Sequence, residues 1–347
     1  MYYTTLDKIC DNLDYLRKPI TGVDRISGDI PYYGASGIVD YVHEHIFDEK
    51  LLLVSEDGAN LLARTTPIAF SIEGKAWINN HAHVLRFKDE ILQKCVELYL
   101  NSISLEPYIT GTAQPKLNQK MLNEIPIPII NKEIMESIVK TIDKLKYVID
   151  KRKEELEELD NLIKSRFVEM FGHQSHNEKL LPYLTIDDVA EIYLGITHTP
   201  TYVENGVMFI SAKNTSGDFL DLSDVKYISK EEFEGAPKGS KPQINDVLFS
   251  RVGSNLGHPV ILKEDLELCT FVSLGFLRTK GNVTSNYLKH WMRDDFFAKQ
   301  VSEHVKGGGQ PNLNTGWLKE FKIIVPDIES QREFDDFCNQ VDKLKFI

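Results

Sequence analysis

The sequence predicts an α+β protein: two copies of one domain, joined by a long coiled-coil helix. Three observations predict it. The first is an ordered echo. The stretch TGTAQPKLN begins at Thr110 and GGGQPNLNTGWL begins at Gly307, and Gln114, Pro115, Leu117, Asn118 and Leu122 recur 196 positions later. LVSEDGAN at Leu53 returns as LFSRVGSN at Leu248, and IDKLKYV at Ile142 returns as VDKLKFI at Val341. Matches in constant order with slightly drifting offset indicate a duplication of about half the chain, not a solenoid of short units. The second observation is a proline-free stretch at 131–172 with heptad spacing. The third is that short strand-like runs come first in each copy and helices late, without the βαβ rhythm of a parallel sheet.

The elements follow in order. Residues 1–130 form the first domain, with strands expected at GIVDYV, KLLLV and PIAFSI and a helix at EILQKCVELYLNSI. Residues 131–172 form the spacer helix. Its seam runs through Ile138, Ile142, Leu145, Ile149, Leu156, Leu159, Ile163 and Met170, with Arg152 and Arg166 filling two positions. Asn131 suits its N-cap and Gly172 its C-cap. A helix of that length is a rod of about 60 Å whose apolar stripe needs a partner helix. Residues 173–326 form the second domain, with strands at VMFI, DVLFS, HPVIL and GFLR and one helix over SNYLKHWMRDDFFAKQVSEHV. Residues 327–347 begin a second long helix.

Composition narrows the function. The 347 residues carry 42% hydrophobic and 27% charged side chains, ordinary for a folded protein. No run of eighteen apolar residues predicts a membrane span, and the N-terminus lacks the order of a signal peptide. Cys10, Cys95, Cys269 and Cys338 are far apart, which fits a reducing cytoplasm and offers no zinc motif. The net charge is −12, and no segment is basic: −5 for 1–130, −1 for 131–172 and −6 for 173–347. That balance is unusual for a free-standing nucleic-acid binder.

Motifs for chemistry are missing. No phosphate loop or dinucleotide fingerprint occurs, so no nucleotide cofactor is expected. The pairs His43/His45 and His81/His83 could each share a strand face, but no third metal ligand has a fitting spacing and the second copy lacks both pairs. They read as ordinary strand or loop histidines, and no metal is expected. SEDG in one copy is SRVG in the other, so its acids are a variable loop on a common frame and not shared catalytic machinery. No enzyme is predicted.

Several polar loops suit DNA contact. The first copy offers Arg17, Lys18, Tyr32, Tyr33, Ser36, Lys75, Asn79, Asn80 and His81; the second offers Lys213, Asn214, Arg251, Asn255 and Lys306. Arginine and lysine reach phosphates and guanine edges, and asparagine reads adenine. The competing reading for each residue is a solvated loop.

DIPYYGASGIVDYVHEHIFDEKLLLVSEDGA, GTAQPKLNQKMLNEIPIPI, the heptad helix and LTIDDVAEIYLGITHTP together resemble a DNA-specificity subunit of the type I restriction–modification family over essentially the whole chain. The resemblance implies two target-recognition domains, each followed by a long helix, the helices pairing antiparallel as a spacer. It implies that each domain reads half of a split double-stranded DNA site. Modification (methyltransferase) subunits then methylate adenine, and restriction (endonuclease) subunits are a further partner. The chain departs from the family in a shortened distal helix. Ile138, Ile142, Leu145 and Ile149 are therefore expected to bind a partner: a second copy of the chain or a modification-subunit helix. Gln-Pro-x-Leu-Asn is expected to be a joint closing each domain, since domains reading different sequences share it. The rival class is a rod-linked protein scaffold that binds no DNA.

Overall fold

The computed structural model describes residues 1–111, 114–253, 255–304 and 311–345. The chain divides into two compact units, Met1–Lys151 and Arg152–Ile347, and the division falls inside one continuous helix, Lys132–Phe171.

In the first unit, one antiparallel sheet orders its strands Cys10–Asn12, Ala82–Phe87, Leu51–Ser55, Ala69–Ile72. A second sheet orders Gly37–Val42, Ser27–Gly34, Lys75–Ile78, Phe47–Asp48, with Ser27–Gly34 and Lys75–Ile78 parallel. Leu51–Ser55 is wholly buried. Leu52 and Val54 face a core shared with Val96, Leu100 and Leu122, while Leu51 and Leu53 face Phe47, Ala76 and Ile78 of the other sheet. Burial on both faces explains why this strand reads as an unbroken apolar run.

The second unit repeats the plan. Its first sheet orders Ala190–Leu194, Leu274–Thr279, Val247–Ser250, Pro259–Ile261, all antiparallel. Its second orders Tyr202–Val203, Lys226–Ile228, Val207–Ile210, Leu268–Thr270, again with one parallel pair, Val207–Ile210 with Leu268–Thr270. Each unit also ties its start to its end by a two-stranded ribbon, Tyr2–Thr4 with Ile127–Ile129 and Tyr183–Thr185 with Lys322–Ile324. The copies differ at one edge strand each: Phe47–Asp48 in the first and Tyr202–Val203 in the second. The same strand order with the same parallel pair is the duplication expressed as topology.

One expected helix is broken. SNYLKHWMRDDFFAKQVSEHV forms Ser285–Trp291 and Asp295–His304, because Asp294 turns out of the first helix and its carboxylate accepts from the Phe296 amide at 2.8 Å. The spacer helix starts where expected: the Asn131 carboxamide accepts from the Glu133 amide at 2.8 Å. It ends at Gly172, whose φ of 75° lets its amide close on the Val168 carbonyl at 2.7 Å.

The distal helix, Ile328–Leu344, packs against the C-terminal half of the spacer. Phe334 meets Phe167 and Phe171 with ring centroids 5.5 Å away from each, whereas the Leu344 carbonyl lies back at Arg152, which donates to it at 3.0 Å. Numbers rising in one helix as they fall in the other make the pair antiparallel. Phe334, Cys338 and Val341 are buried there. At the offset of 199 by which IDKLKYV returns as VDKLKFI, their counterparts are Met135, Val139 and Ile142. Met135 and Val139 are buried in the first unit as well, whereas Leu145, further along the seam, is 56% exposed. An apolar groove lined by Leu92, Cys95, Tyr99, Ile138 and Ile142 runs beside them. Among the described residues, no helix is long and apolar enough to cross a membrane.

Candidate nucleic-acid interface

In each unit the central buried strand ends in the SEDG or SRVG loop, and three other loops gather there. In the first unit, Leu117 donates to the Glu56 carbonyl at 2.7 Å and Gly58 to the Pro115 carbonyl at 3.1 Å. In the second, Leu313 donates to Arg251 at 2.8 Å and Gly253 to Pro311 at 3.3 Å. Glu56 and Arg251 also donate their amides to the loop before the returning strand, to His81 at 2.8 Å and to Ser273 at 2.9 Å. Gln-Pro-x-Leu-Asn is therefore a backbone clasp on the variable loop. Leu117 and Leu313 are buried, and Asn118 and Asn314 cap the short helices Gln119–Glu124 and Thr315–Glu320. The fourth loop is the hairpin turn at Ala35–Ser36, whose Ala35 carbonyl accepts from the Ser55 hydroxyl; in the second unit, Ser273 reaches the Ala212 amide at 3.1 Å.

This edge collects much of the predicted contact set. Ser36, Asn80 and His81 are exposed there, His81 held by the Asp57 carboxylate at 2.9 Å. Lys18 is exposed, and its carbonyl accepts from Trp77 Nε1 at 2.6 Å. Asn255 is exposed and donates to the Ser216 carbonyl at 3.4 Å. Lys213 is half-exposed and paired with Asp224 at 2.8 Å. Lys75 stands apart, at the opposite end of its strand from Asn79. Lys306 lies outside the described residues.

Four candidates are corrected, because their polar atoms are committed internally. Arg17 donates to Glu56 at 2.6 Å and to the Ala82 carbonyl at 2.8 Å. Tyr32 is buried, its hydroxyl accepting from the Ile20 amide at 3.0 Å and its ring under the Arg25 guanidinium at 4.5 Å. Asn79 is buried and accepts from the His81 amide at 2.8 Å. Asn214 is buried and bonds the Ser211 amide and the Asp221 carbonyl. Tyr33 is half-buried, packed on Phe70. Arg251 is half-buried and donates to the carbonyls of Val272 at 3.1 Å and Leu313 at 3.3 Å.

Sequence reading missed an ion network behind the first edge. The carboxylates of Asp14 and Glu56 and the His83 imidazole lie within 4.8 Å of one another, the donor set a metal would need. Each is already engaged. His83 Nδ1 meets Asp14 at 2.6 Å and Nε2 meets the Leu117 carbonyl at 2.7 Å, while Glu56 holds Arg17 at 2.6 Å and Lys116 at 3.2 Å. Two cations on one carboxylate and no free imidazole nitrogen make this a structural network, not a metal seat. Burial pushes both carboxyls up, but the bonds and charges around them together outweigh it, led by His83 at Asp14 and Arg17 at Glu56, so both sit below their ordinary range. The second unit replaces the network: by strand register Asp14 becomes Leu194, His83 becomes Gly275 and Glu56 becomes Arg251.

Known proteins agree with this frame. The model of the "Type I restriction modification DNA specificity domain" family matches residues 5–161 and again 183–346. A putative type I restriction enzyme specificity subunit of Haemophilus influenzae is 28% identical over 347 residues, covering 98% of this chain and 87% of that protein. The type I restriction enzyme MjaVIII specificity subunit of Methanocaldococcus jannaschii is 21% identical, covering 97% and 85%. The type I restriction–modification S subunit from M. genitalium superposes with a TM-score of 0.57 at 15% identity, covering 99% of this chain and 89% of that one. The duplicated frame and the doubled family match, which together span most of the sequence, place this chain in the type I restriction–modification DNA-specificity family, as a subunit that recognises DNA sequence.

Proposed function

We propose that each unit reads one half of a bipartite target through its four-loop edge, with 1–130 and 173–326 as the recognition domains and 131–172 and 327–347 as the helical spacer. The observation that supports this is the repetition of one clasped edge on two frames of shared strand order with different side chains on its loops. A constant frame with variable loops is how binding sites diversify. Lys18, Ser36, Asn80 and His81 are the contacts proposed for the first half-site, and Lys213, Asn255 and Lys306 for the second. Lys75 is proposed as a phosphate contact outside the edge. The chain is proposed to be non-catalytic and cytoplasmic, with methylation and cleavage residing in modification and restriction subunits. Its acidity fits that division of labour: phosphate contacts carry much of DNA affinity, and partner chains supply them. Exchanging residues 211–218 and 250–257 for those of a relative with another target should change one half of the methylated site and leave the other intact. Methylome sequencing reads the result; a change in both halves would sink independent reading.

The seam of exposed Ile138, Leu145 and Ile149 and half-buried Ile142, with the groove beside it, is proposed as the docking surface for a partner helix. Leu145→Asp should abolish capture of the modification subunit, or self-association in light scattering, without lowering the melting temperature. Unchanged assembly on both counts would contradict it.

A further inference from the structure

We infer that one guanidinium site, filled by Arg17 in the first unit and by Arg251 in the second, positions the recognition edge for base reading; this rests on the reading that the edge faces DNA. The two residues come from different places in the sequence. Arg17 follows the strand Cys10–Asn12 and the short turn Asp14–Leu16, whereas Arg251 stands at the position of Glu56. Yet they reach the same carbonyl. Ser55 pairs with Ala82 and Ser250 with Leu274, so Asn80 and Val272, each two residues earlier, are equivalent. Arg17 Nη1 donates to Asn80 at 3.4 Å and to Ala82 at 2.8 Å; Arg251 Nη1 donates to Val272 at 3.1 Å.

Each guanidinium also holds the Gln-Pro clasp. In the second unit the link is direct, from Arg251 Nε to the Leu313 carbonyl at 3.3 Å and from Nη2 to Asn312 Oδ1 at 3.5 Å. In the first it runs through Glu56, which bridges Arg17 to Lys116. Lys116 is the counterpart of Asn312, as the bridges Asp57 to Lys116 and Val252 to Asn312 show. The planar fork of arginine suits this role, because several donors at fixed angles can tie more than one loop at once. A lysine presents one rotating point charge and holds one loop at a time. Neither arginine is exposed enough to be a principal base reader. Each sets where Asn80, His81 or Asn255 stands. A loop displaced by a fraction of an ångström misaligns the two bonds by which asparagine reads a base.

The test uses the full chain assembled with its modification subunits. Affinity is measured for the native site and for sites with one base changed in either half. Arg251→Lys should lower discrimination roughly tenfold, the size of one lost base contact, in one half-site only. Arg17→Lys should do the same in the other half. Arg278→Lys is the control: it weakens a pair with Asp246 in the second unit, bonded at 2.7 and 3.0 Å and not part of the edge. It should lower the melting temperature and leave discrimination unchanged. If Arg17→Lys unfolds the first unit, the triple change Arg17→Ser, Glu56→Arg, Lys116→Asn rebuilds the solution of the second unit and should restore discrimination in that half. Discrimination that survives Arg251→Lys and Arg17→Lys in both halves would overturn the inference. A native assembly with no discrimination at all would overturn the underlying reading instead.

Discussion

Phe167→Ala should destabilise the second unit by about 3–5 kcal/mol, the range for removing a buried aromatic ring from a packed core. Phe167 is buried among Phe171, Tyr287 and Phe334, with ring centroids 5.2, 5.3 and 5.5 Å away. The ring locks three elements: the spacer, the helix Ser285–Trp291 and the distal helix. Two of the contacts are edge-on, the geometry aromatic quadrupoles favour. The spacer itself supplies a control. Ile138, on the same helix, is 39% exposed. Ile138→Ala should therefore cost less than about 1 kcal/mol, since little burial is lost. Urea denaturation of the two variants decides the matter. Equal shifts in midpoint would mean that the distal helix is not held by this core.

Much of the frame was legible because its signals are physical necessities. The clasp had to be repeated in both copies, since its leucine fills a core and its asparagine caps a helix whatever the loops read. The buried strands Leu51–Ser55 and Val247–Ser250 announce themselves by apolar runs, and the spacer by its heptads and caps. The site was harder to read. Arg17, Asn79 and Asn214 were chosen for their residue type, which says what a side chain can bond and not whether it already does. Loops that carry recognition expose carbonyls and amides that need partners, and these residues supply them. Glu56 against Arg251 was visible as a charge reversal in the sequence. Its meaning was not, because the compensating Arg17 stands on a different loop 39 positions away. The break at Asp294 was masked for a similar reason: a capping aspartate inside a helical pattern looks like one more polar residue until its side chain is seen on the Phe296 amide.

Lys289→Met should stabilise the second unit at pH 7 by about 3 kcal/mol. Lys289 is only 7% exposed. Among the described residues, no carboxylate lies within ion-pair distance of it: Asp342 is taken by Lys263 at 2.6 Å and Asp218 by Arg293 at 2.6 Å. Burial, reinforced by the Arg293 charge, brings the ammonium pKa down to about 8. In the unfolded chain the group keeps its ordinary value near 10.5. The sign follows from linkage. Below pH 8 both states hold the proton and the native state bears the full cost of a buried charge. Between about 8 and 10.5 the native state releases the proton first, so stability from this group rises with pH across that window. At about 1.4 kcal/mol per pKa unit, the displacement corresponds to the roughly 3 kcal/mol that methionine removes while keeping the aliphatic packing. The advantage of the variant should therefore be full at pH 7 and nearly gone at pH 10.5. Denaturation midpoints at the two pH values test it, and a gain that does not shrink would mean packing, not charge, was responsible. The retained cost has an electrostatic counterpart. Arg293 bonds the Asp218 carboxylate at 2.6 Å, and Asp218 is one residue from Gly217, whose carbonyl accepts from His258 at 2.9 Å. The Lys289 charge also favours the ionised form of Asp218, so part of its cost is returned as electrostatic support for that carboxylate.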